Sequence, residues 1–155
     1  MGIVRSMALY GAPVWADGLT ERNVALLRGP QRAMAVRVIR GYRTISFEAA
    51  TLLAGSPPWD LEAKALASLY RWRGELTARG ERYPPRVLEA RRLELRRETM
   101  AEWKMRLVQP SAGHAVVAAV SPIMEAWIGR GHGALSFRLT QSVQWLGDHC
   151  IDLEV

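Results

Sequence analysis

The chain is poor in cysteine and lysine, and it has no long apolar run. Cys150 is the single cysteine among 155 residues, so neither a disulfide framework nor a cysteine-rich zinc site can form within one chain. No apolar run reaches the roughly 18 residues of a membrane span, and no secretion signal is evident. The start, MGIVRS, matches the N-myristoylation pattern, but one acyl chain holds a membrane only marginally. We expect an intracellular location, nuclear or cytoplasmic, and no membrane partner.

Sequence motifs typical of catalytic sites are also lacking. There is no Asp-Asp pair of the kind that holds two metal ions in polymerases and nucleases. His114, His132 and His149 show no metal-ligand spacing. The neighbouring His149 and Cys150 have no third group to orient them as a nucleophile pair. We therefore expect no cofactor, no metal site and no enzymatic activity of the chain on its own.

Arginine dominates the charge. Nineteen Arg and two Lys outweigh fifteen acidic residues, for a net charge of +6. Residues 20–46 carry six Arg and one Glu, and residues 86–106 carry seven cations and four Glu, whereas residues 110–155 have a net charge of −2. The planar guanidinium matches phosphate, so the front of the chain suggests a polyanion partner. The alternative is a GC-rich gene that encodes its cations as arginine.

Helical signals cover almost the whole chain. Apolar residues recur at helical spacing between Gly and Pro breakers, and no strand-like alternation occurs. The sequence predicts an all-α, irregular multi-helix bundle of five to seven helices, with a last helix over residues 135–146. Helices around residues 61–72 and 93–107 are expected to build the main core. The charge pattern suggests a basic helical region, residues 1–108, and a C-terminal helical segment, residues 109–155.

Local signals predict where several helices begin and end. Thr20 and Ser46 are suited to cap helices at their N-termini. Gly41 is the expected C-cap of the helix that starts after Thr20. Pro30 lies inside that helix and predicts a kink or a break into two short helices. Farther along, glutamates at i, i+4 spacing with nearby arginines predict a solvated ion-pair face: Glu94, Glu98 and Glu102 with Arg91, Arg97 and Arg106.

Four blocks of the sequence resemble one known family. They are LYGAPVW (residues 9–15), LLRGPQRAMAVRVIRGYRTIS (26–46), LAGSPPWDLEA (53–63) and AGHAVVAAVSPIMEAWIGRGHGALSFRLTQ (112–141). Together they resemble the region just C-terminal to the polymerase core in non-LTR retrotransposon reverse transcriptases. The greatest similarity is to the Pol polyprotein of insect type-1 retrotransposable elements.

The resemblance implies an accessory region without the catalytic parts. In that family the polyprotein carries an endonuclease, an RNA-directed DNA polymerase and a C-terminal cysteine-histidine segment. The endonuclease and the catalytic aspartates would precede this chain. Where the family continues toward a zinc-knuckle-like cluster, this chain reads SVQWLGDHCIDLEV with one cysteine. Residues 109–155 are therefore expected to end in a truncated zinc-knuckle-like segment without metal.

The resemblance also implies a nucleic-acid partner. As a thumb-to-C-terminal linker, residues 1–108 would flank the template–primer duplex, where arginines on helices contact phosphates without reading sequence. Arg32, Arg37, Arg40 and Arg43 are the candidates for weak, non-specific contact with the RNA or DNA backbone. For each of them the alternative is a salt bridge or a solvated surface position. The alternative for the chain is a helical protein-interaction remnant, whose apolar faces packed on the polymerase core of the parent protein.

Overall fold

The computed structural model describes residues 2–129 as a series of helices. In chain order they are α1 (Gly2–Ala8), α2 (Ala12–Trp15), α3 (Glu21–Ile39), α4 (Phe47–Leu53), α5 (Trp59–Ala78), α6 (Pro85–Arg106), α7 (His114–Val120) and α8 (Met124–Gly129). Short 3-10 turns at Ala16–Gly18 and Ser121–Ile123 precede α3 and α8. Six of these helices have seven residues or more, and no strand occurs among the described residues. The predicted all-α bundle is therefore confirmed, whereas the predicted helix over 135–146 lies outside the described residues.

Helix α3 runs without interruption through Pro30. Of the two outcomes expected there, a kink or a break into two short helices, the break is therefore wrong. The helix begins where predicted, because the Thr20 hydroxyl accepts a hydrogen bond of 3.3 Å from the backbone N–H of Asn23. A proline inside a helix removes one backbone hydrogen bond and crowds the preceding turn. Tertiary packing offsets this, since Ala35 and Ile39 in the following turns are completely buried.

A buried glutamine directly after the proline ties α3 to the start of α5. The side-chain amide of Gln31 donates to the Pro57 carbonyl at 2.7 Å and to the Ser56 hydroxyl at 3.2 Å. Its carbonyl oxygen accepts from the backbone N–H of Trp59 at 3.0 Å. These bonds satisfy polar groups that burial would otherwise leave unpaired. They also fix the helix on the C-terminal side of Pro30.

Helix α3 ends at a left-handed arginine rather than at the predicted glycine. Arg40 has φ +52° and is the one non-glycine residue with positive φ in the described part of the chain. The N–H of Gly41 bonds the Val36 carbonyl at 3.0 Å, and that of Arg40 bonds the Arg37 carbonyl at 3.3 Å. This is a Schellman motif, shifted by one residue from the prediction. A left-handed L-residue costs about 1–2 kcal/mol.

The main core is centred on α4, which is only seven residues long. Ser46 caps α4 as predicted, with its hydroxyl accepting from the backbone N–H of Ala49 at 3.1 Å. All of Ala49, Ala50, Leu52 and Leu53 are at most 1 % exposed. Around them pack Ala35 and Ile39 of α3, Ile45, Leu61 of α5, Trp103 of α6 with the adjoining Leu107, Val116, Val117 and Val120 of α7, and Met124 of α8.

The expectation that α5 and α6 build the main core is thus only partly right. Leu61, Trp103 and Leu107 do lie in it, but Leu93 is 50 % exposed. Helix α4 itself was predicted from its cap, Ser46, but its central place in the core was not, because a short helix that is buried around most of its surface shows no amphipathic period. Residues 114–124 contribute to this same core, while the proposed division of the chain after residue 108 stays a prediction.

A second, smaller cluster fastens the N-terminal segment to α5. It consists of Leu9, Ala12, Ala16, Trp59, Ala63 and Ala67, all buried. The alanines on α2 and α5 have short side chains, so the two helices can approach closely. An exposed ion pair adds to this attachment, with 2.7 Å between the Arg5 Nε and a Glu62 carboxylate oxygen. The N-terminal helices are therefore part of the fold.

Candidate nucleic-acid interface

Of the four candidate arginines, Arg32 is turned toward the protein. Its Nε donates to the Ile45 carbonyl at 2.8 Å, and its Nη2 donates to the Arg43 carbonyl. The side chain is half-buried against the loop that joins α3 to α4. Hydrogen bonds from a charged donor are stronger than neutral ones. Arg32 therefore holds this loop in place, and two of its five N–H donors are already used.

The other three candidates lie at the end of α3 and in the following loop. Arg37 is in the last turn of the helix, Arg40 is the left-handed residue, and Arg43 is in the loop; all three are exposed. Within residues 2–129, none of them forms an ion pair with a carboxylate. Residues 22–47 contain no Asp or Glu at all. The end of α3 thus carries three cations without local compensation.

Arg28 is a further cation of the arginine-rich residues 20–46 and lies on α3. It was not among the four candidates predicted from the sequence. Its guanidinium lies over the Phe47 ring, 5.4 Å from the ring centre. An exposed cation–π contact of this kind stabilises by about 0.5–1 kcal/mol. Its position four residues before Arg32, one helical turn away, is the sequence signal that could have identified it. Arg28 also borders a cavity of about 280 Å³ whose lining includes Trp103 and Arg106.

The predicted ion-pair face on α6 is present for two of its three arginines. Arg91 lies 2.5 Å from Glu94 and 4.0 Å from Glu98. Arg106 lies 2.8 Å from Glu102 on α6. These pairs are largely exposed, so each contributes little to stability. Arg97, the third, has no carboxylate partner among the described residues.

Arg106 additionally forms an ion pair that joins α6 to α5. Its Nη1 lies 2.6 Å from a carboxylate oxygen of Asp60, whose side chain is 5 % exposed. Burial alone would lower the pKa of Arg106, but hydrogen bonds and charge attraction from Asp60 and Glu102 outweigh it and raise that pKa. Arg106 is therefore a structural cation and is not available to a polyanion.

The part of the chain that the structure describes shows neither a metal-binding cluster nor a membrane-spanning helix. Residues 2–129 hold no cluster of three or more His, Cys, Asp or Glu side chains suited to a metal ion. None of the helices there is long and apolar enough to cross a bilayer. His132, His149 and Cys150 lie outside the described residues, as does the truncated zinc-knuckle-like end.

Two known proteins from insect retrotransposable elements are similar in sequence to this chain. It is 40 % identical over 73 residues to a 115 kDa protein in the type-1 retrotransposable element R1DM of Drosophila melanogaster; the match covers 45 % of this chain. It is 30 % identical over 128 residues, 72 % of the chain, to the retrovirus-related Pol polyprotein from type-1 retrotransposable element R1 3 of Nasonia vitripennis. The chain is similar to parts of proteins from R1 type-1 retrotransposable elements. The predicted resemblance to insect type-1 elements is thereby confirmed.

The chain spans less than a third of the length of the curated relatives that it matches. The matched region is 7 % of the Drosophila protein and 32 % of the Nasonia polyprotein. No protein-family model matches the chain. No solved structure matches it either. Its position C-terminal to a polymerase core stays a prediction.

Proposed function

We propose that the chain is an accessory helical region of a type-1 retrotransposon Pol polyprotein, and that it contacts the backbone of RNA or DNA through the end of α3. The observation that supports this most is the group Arg37, Arg40 and Arg43, exposed and without a carboxylate partner among residues 2–129. Such a group attracts phosphate by charge and releases counterions. The contact would be weak and independent of base sequence.

Arg32 has a positioning role in this proposal. Its bonds to the carbonyls of Arg43 and Ile45 fix the backbone from which the Arg43 side chain projects. A loop held in one conformation loses less entropy when it binds than a loose one. Of the four arginines predicted from the sequence, three are therefore proposed to touch phosphate and one to support the loop that presents them.

A charge-matched pair of variants tests the proposed contact. The first variant replaces Arg37, Arg40 and Arg43 with Gln, and the control replaces Arg79, Arg82 and Arg86, which are exposed at the turn between α5 and α6. Both lose three positive charges. Affinity for a labelled RNA–DNA hybrid is measured by fluorescence anisotropy at low salt. We expect the first variant to lose about tenfold or more, because three phosphate contacts are removed, and the control to lose clearly less. Equal losses would show that the affinity depends only on the net charge of the protein, and this would contradict the proposal.

The proposal assigns no catalysis to the chain itself. Polymerases and nucleases position two metal ions with paired carboxylates, and the sequence contains no Asp-Asp pair. In a primer-extension assay with magnesium and the purified chain, we expect no product above that of a mock purification. Extension that survives repurification would overturn this part of the proposal.

A second candidate function is protein interaction, favoured by an apolar patch on α1 and the turn that follows it. Ile3, Met7 and Tyr10 line one open cavity there and are 81 %, 72 % and 86 % exposed. Exposed apolar patches of this kind are typical of interaction sites. The patch would pack against the polymerase core of a longer parent protein. Replacing Ile3 and Met7 with Ser should then abolish co-purification with that core while leaving the affinity for nucleic acid unchanged; unchanged co-purification would exclude this function.

A further inference from the structure

A cavity of about 280 Å³ lies where α3 and α4 meet the end of α6. Its inner end is formed by Trp103 and Leu107, which are buried. Its mouth is formed by exposed polar side chains, those of Arg28, Gln109 and Ser111. Sites for a complete small ligand are generally about 300–1,000 Å³ in volume. The cavity is therefore suited to one planar group rather than to a whole nucleotide.

The walls of this cavity are held in place by contacts within the protein. The loop after α6 is fastened to α4, because the Ser111 hydroxyl donates to a Glu48 carboxylate oxygen at 2.8 Å. The Ser46 hydroxyl donates to the Ala112 carbonyl at 3.2 Å. Gly113 has φ +75°, and a Cβ at this position would collide with the Ser46 hydroxyl, so the loop lies very close to α4. A site formed in advance loses little conformational entropy when it binds.

The mouth of the cavity presents the kinds of surface that bind a nucleobase. The guanidinium of Arg28 lies over the Phe47 ring, 5.4 Å from the ring centre. Unpaired bases stack on aromatic rings and on guanidinium planes. One carboxylate oxygen of Glu48 accepts from Ser111. Its other oxygen and the amide of Gln109 provide an acceptor and donors for the edge of a base.

We infer that the cavity receives one unpaired base of the nucleic-acid strand whose backbone contacts the end of α3, an inference that rests on the proposed function. Arg32 connects the two places, because its Nη2 donates to the Arg43 carbonyl and Arg28 precedes it by one helical turn, about 6 Å along the axis. A strand with a phosphate at Arg43 therefore has its next nucleotides beside Arg28. Residues 22–47 contain no Asp or Glu, so no carboxylate of this segment repels the strand.

A protein side chain fits the cavity less well than a base. An aromatic side chain would stack at the mouth but would bring no negative charge, and Arg28 has no carboxylate partner among residues 2–129. A base arrives with its own phosphate. Arg106 also borders the cavity, but it is held by Asp60 and Glu102.

The expected ligand is a hybrid with a single-stranded extension. A base inside a duplex has to leave its stack before it reaches a pocket, and this costs least for a base that is already single-stranded. Every base has a π-face, so stacking tolerates all of them. We therefore expect the cavity to favour unpaired nucleotides without a preference for sequence.

Two RNA–DNA hybrids of equal charge test this inference. Both carry the same short single-stranded extension, and in one of them the nucleotides of the extension are abasic. Affinity for the full chain is measured by fluorescence anisotropy at low salt, and the ratio of the two affinities reports the contact with the base. We expect the base-bearing hybrid to bind about tenfold more tightly, which is the order that the stacking of one base contributes.

Variants at the mouth locate this contact. Arg28→Lys keeps the positive charge but removes the planar guanidinium, and it should reduce the ratio of affinities to about threefold or less. Gln109→Ala removes the amide and should lower the ratio by about threefold. The matched control is Arg22→Lys, in the exposed first turn of the same helix, which should leave the ratio at about tenfold. Far-ultraviolet circular dichroism establishes that each variant is folded.

The outcomes for the base contact and for the backbone contact are distinguishable. Equal affinities of the parent chain for the two hybrids would overturn this inference and leave the backbone contact standing. Replacing Arg37, Arg40 and Arg43 with Gln measures that contact separately, because it should lower both affinities alike. A ratio that neither Arg28→Lys nor Gln109→Ala reduces would place the base elsewhere and overturn the inference as well. A chain that binds neither hybrid would contradict both proposals.

Discussion

Replacing Arg32 with Gln is expected to destabilise the fold, in contrast to the other three candidate arginines. The change removes the bond of 2.8 Å to the Ile45 carbonyl and the bond to the Arg43 carbonyl. A hydrogen bond from a charged group contributes about 1.5–3 kcal/mol. Because the side chain is only half-buried, water replaces part of this, and we expect a loss of about 2 kcal/mol in total. For a chain of this size 1 kcal/mol shifts Tm by about 2–4 °C, so Tm should fall by about 4–8 °C.

The assay for this prediction is thermal and urea unfolding followed by far-ultraviolet circular dichroism, with Arg37→Gln as the matched control. Arg37 is exposed and has no carboxylate partner within residues 2–129, so its replacement should change stability by less than about 0.5 kcal/mol. If both variants unfold at the same temperature as the parent chain, Arg32 does not hold the loop. It would then return to the group of possible phosphate contacts.

Three further substitutions test other parts of the account by the same unfolding measurements. Gln31→Leu should cost about 3 kcal/mol, because it removes the partners of the buried Trp59 N–H and the partly buried Pro57 carbonyl; unchanged stability would contradict the structure of this junction. Arg40→Gly should stabilise by about 0.5–1 kcal/mol, since glycine adopts positive φ without strain, and a loss of stability would show that the arginine is not left-handed. Arg106→Gln should cost about 2–4 kcal/mol at neutral pH, because a buried carboxylate loses its cation, and adding Asp60→Asn should recover part of that loss.

Local signals in the sequence predicted the ends of helices well, but not which side chains face inward. Thr20 and Ser46 cap helices as expected, because a cap depends on residues three positions apart. The inward turn of Arg32 depends on the path of the loop that follows, which is tertiary information. The choice of Arg40 over its neighbour Gly41 as the left-handed residue was likewise not visible, since glycine is the usual choice.

The sequence indicated which segment carries the candidate site, but not which of its arginines face the solvent. The excess of arginine in residues 20–46 pointed to this segment, and three of the four candidate arginines in it are exposed, as a surface contact requires. On α6, the sequence predicted an ion-pair face with Arg91, Arg97 and Arg106 and gave Arg96 and Lys104 no role. In the structure, Arg96 and Lys104 line a cavity between α6 and α8. Sequence periodicity alone does not show which neighbouring helix lies opposite a given face.

The most direct test of the proposed function is the salt dependence of RNA–DNA hybrid binding. If Arg37, Arg40 and Arg43 each contact one phosphate, the log–log plot of affinity against salt should have a slope of about −2.7, from about −0.9 per contact on a duplex. The variant with Gln at these three positions should bind more weakly and with a slope close to zero, while the control with Gln at Arg79, Arg82 and Arg86 keeps the slope of the parent chain. A parent chain without salt-dependent binding, or a first variant with an unchanged slope, would contradict the account.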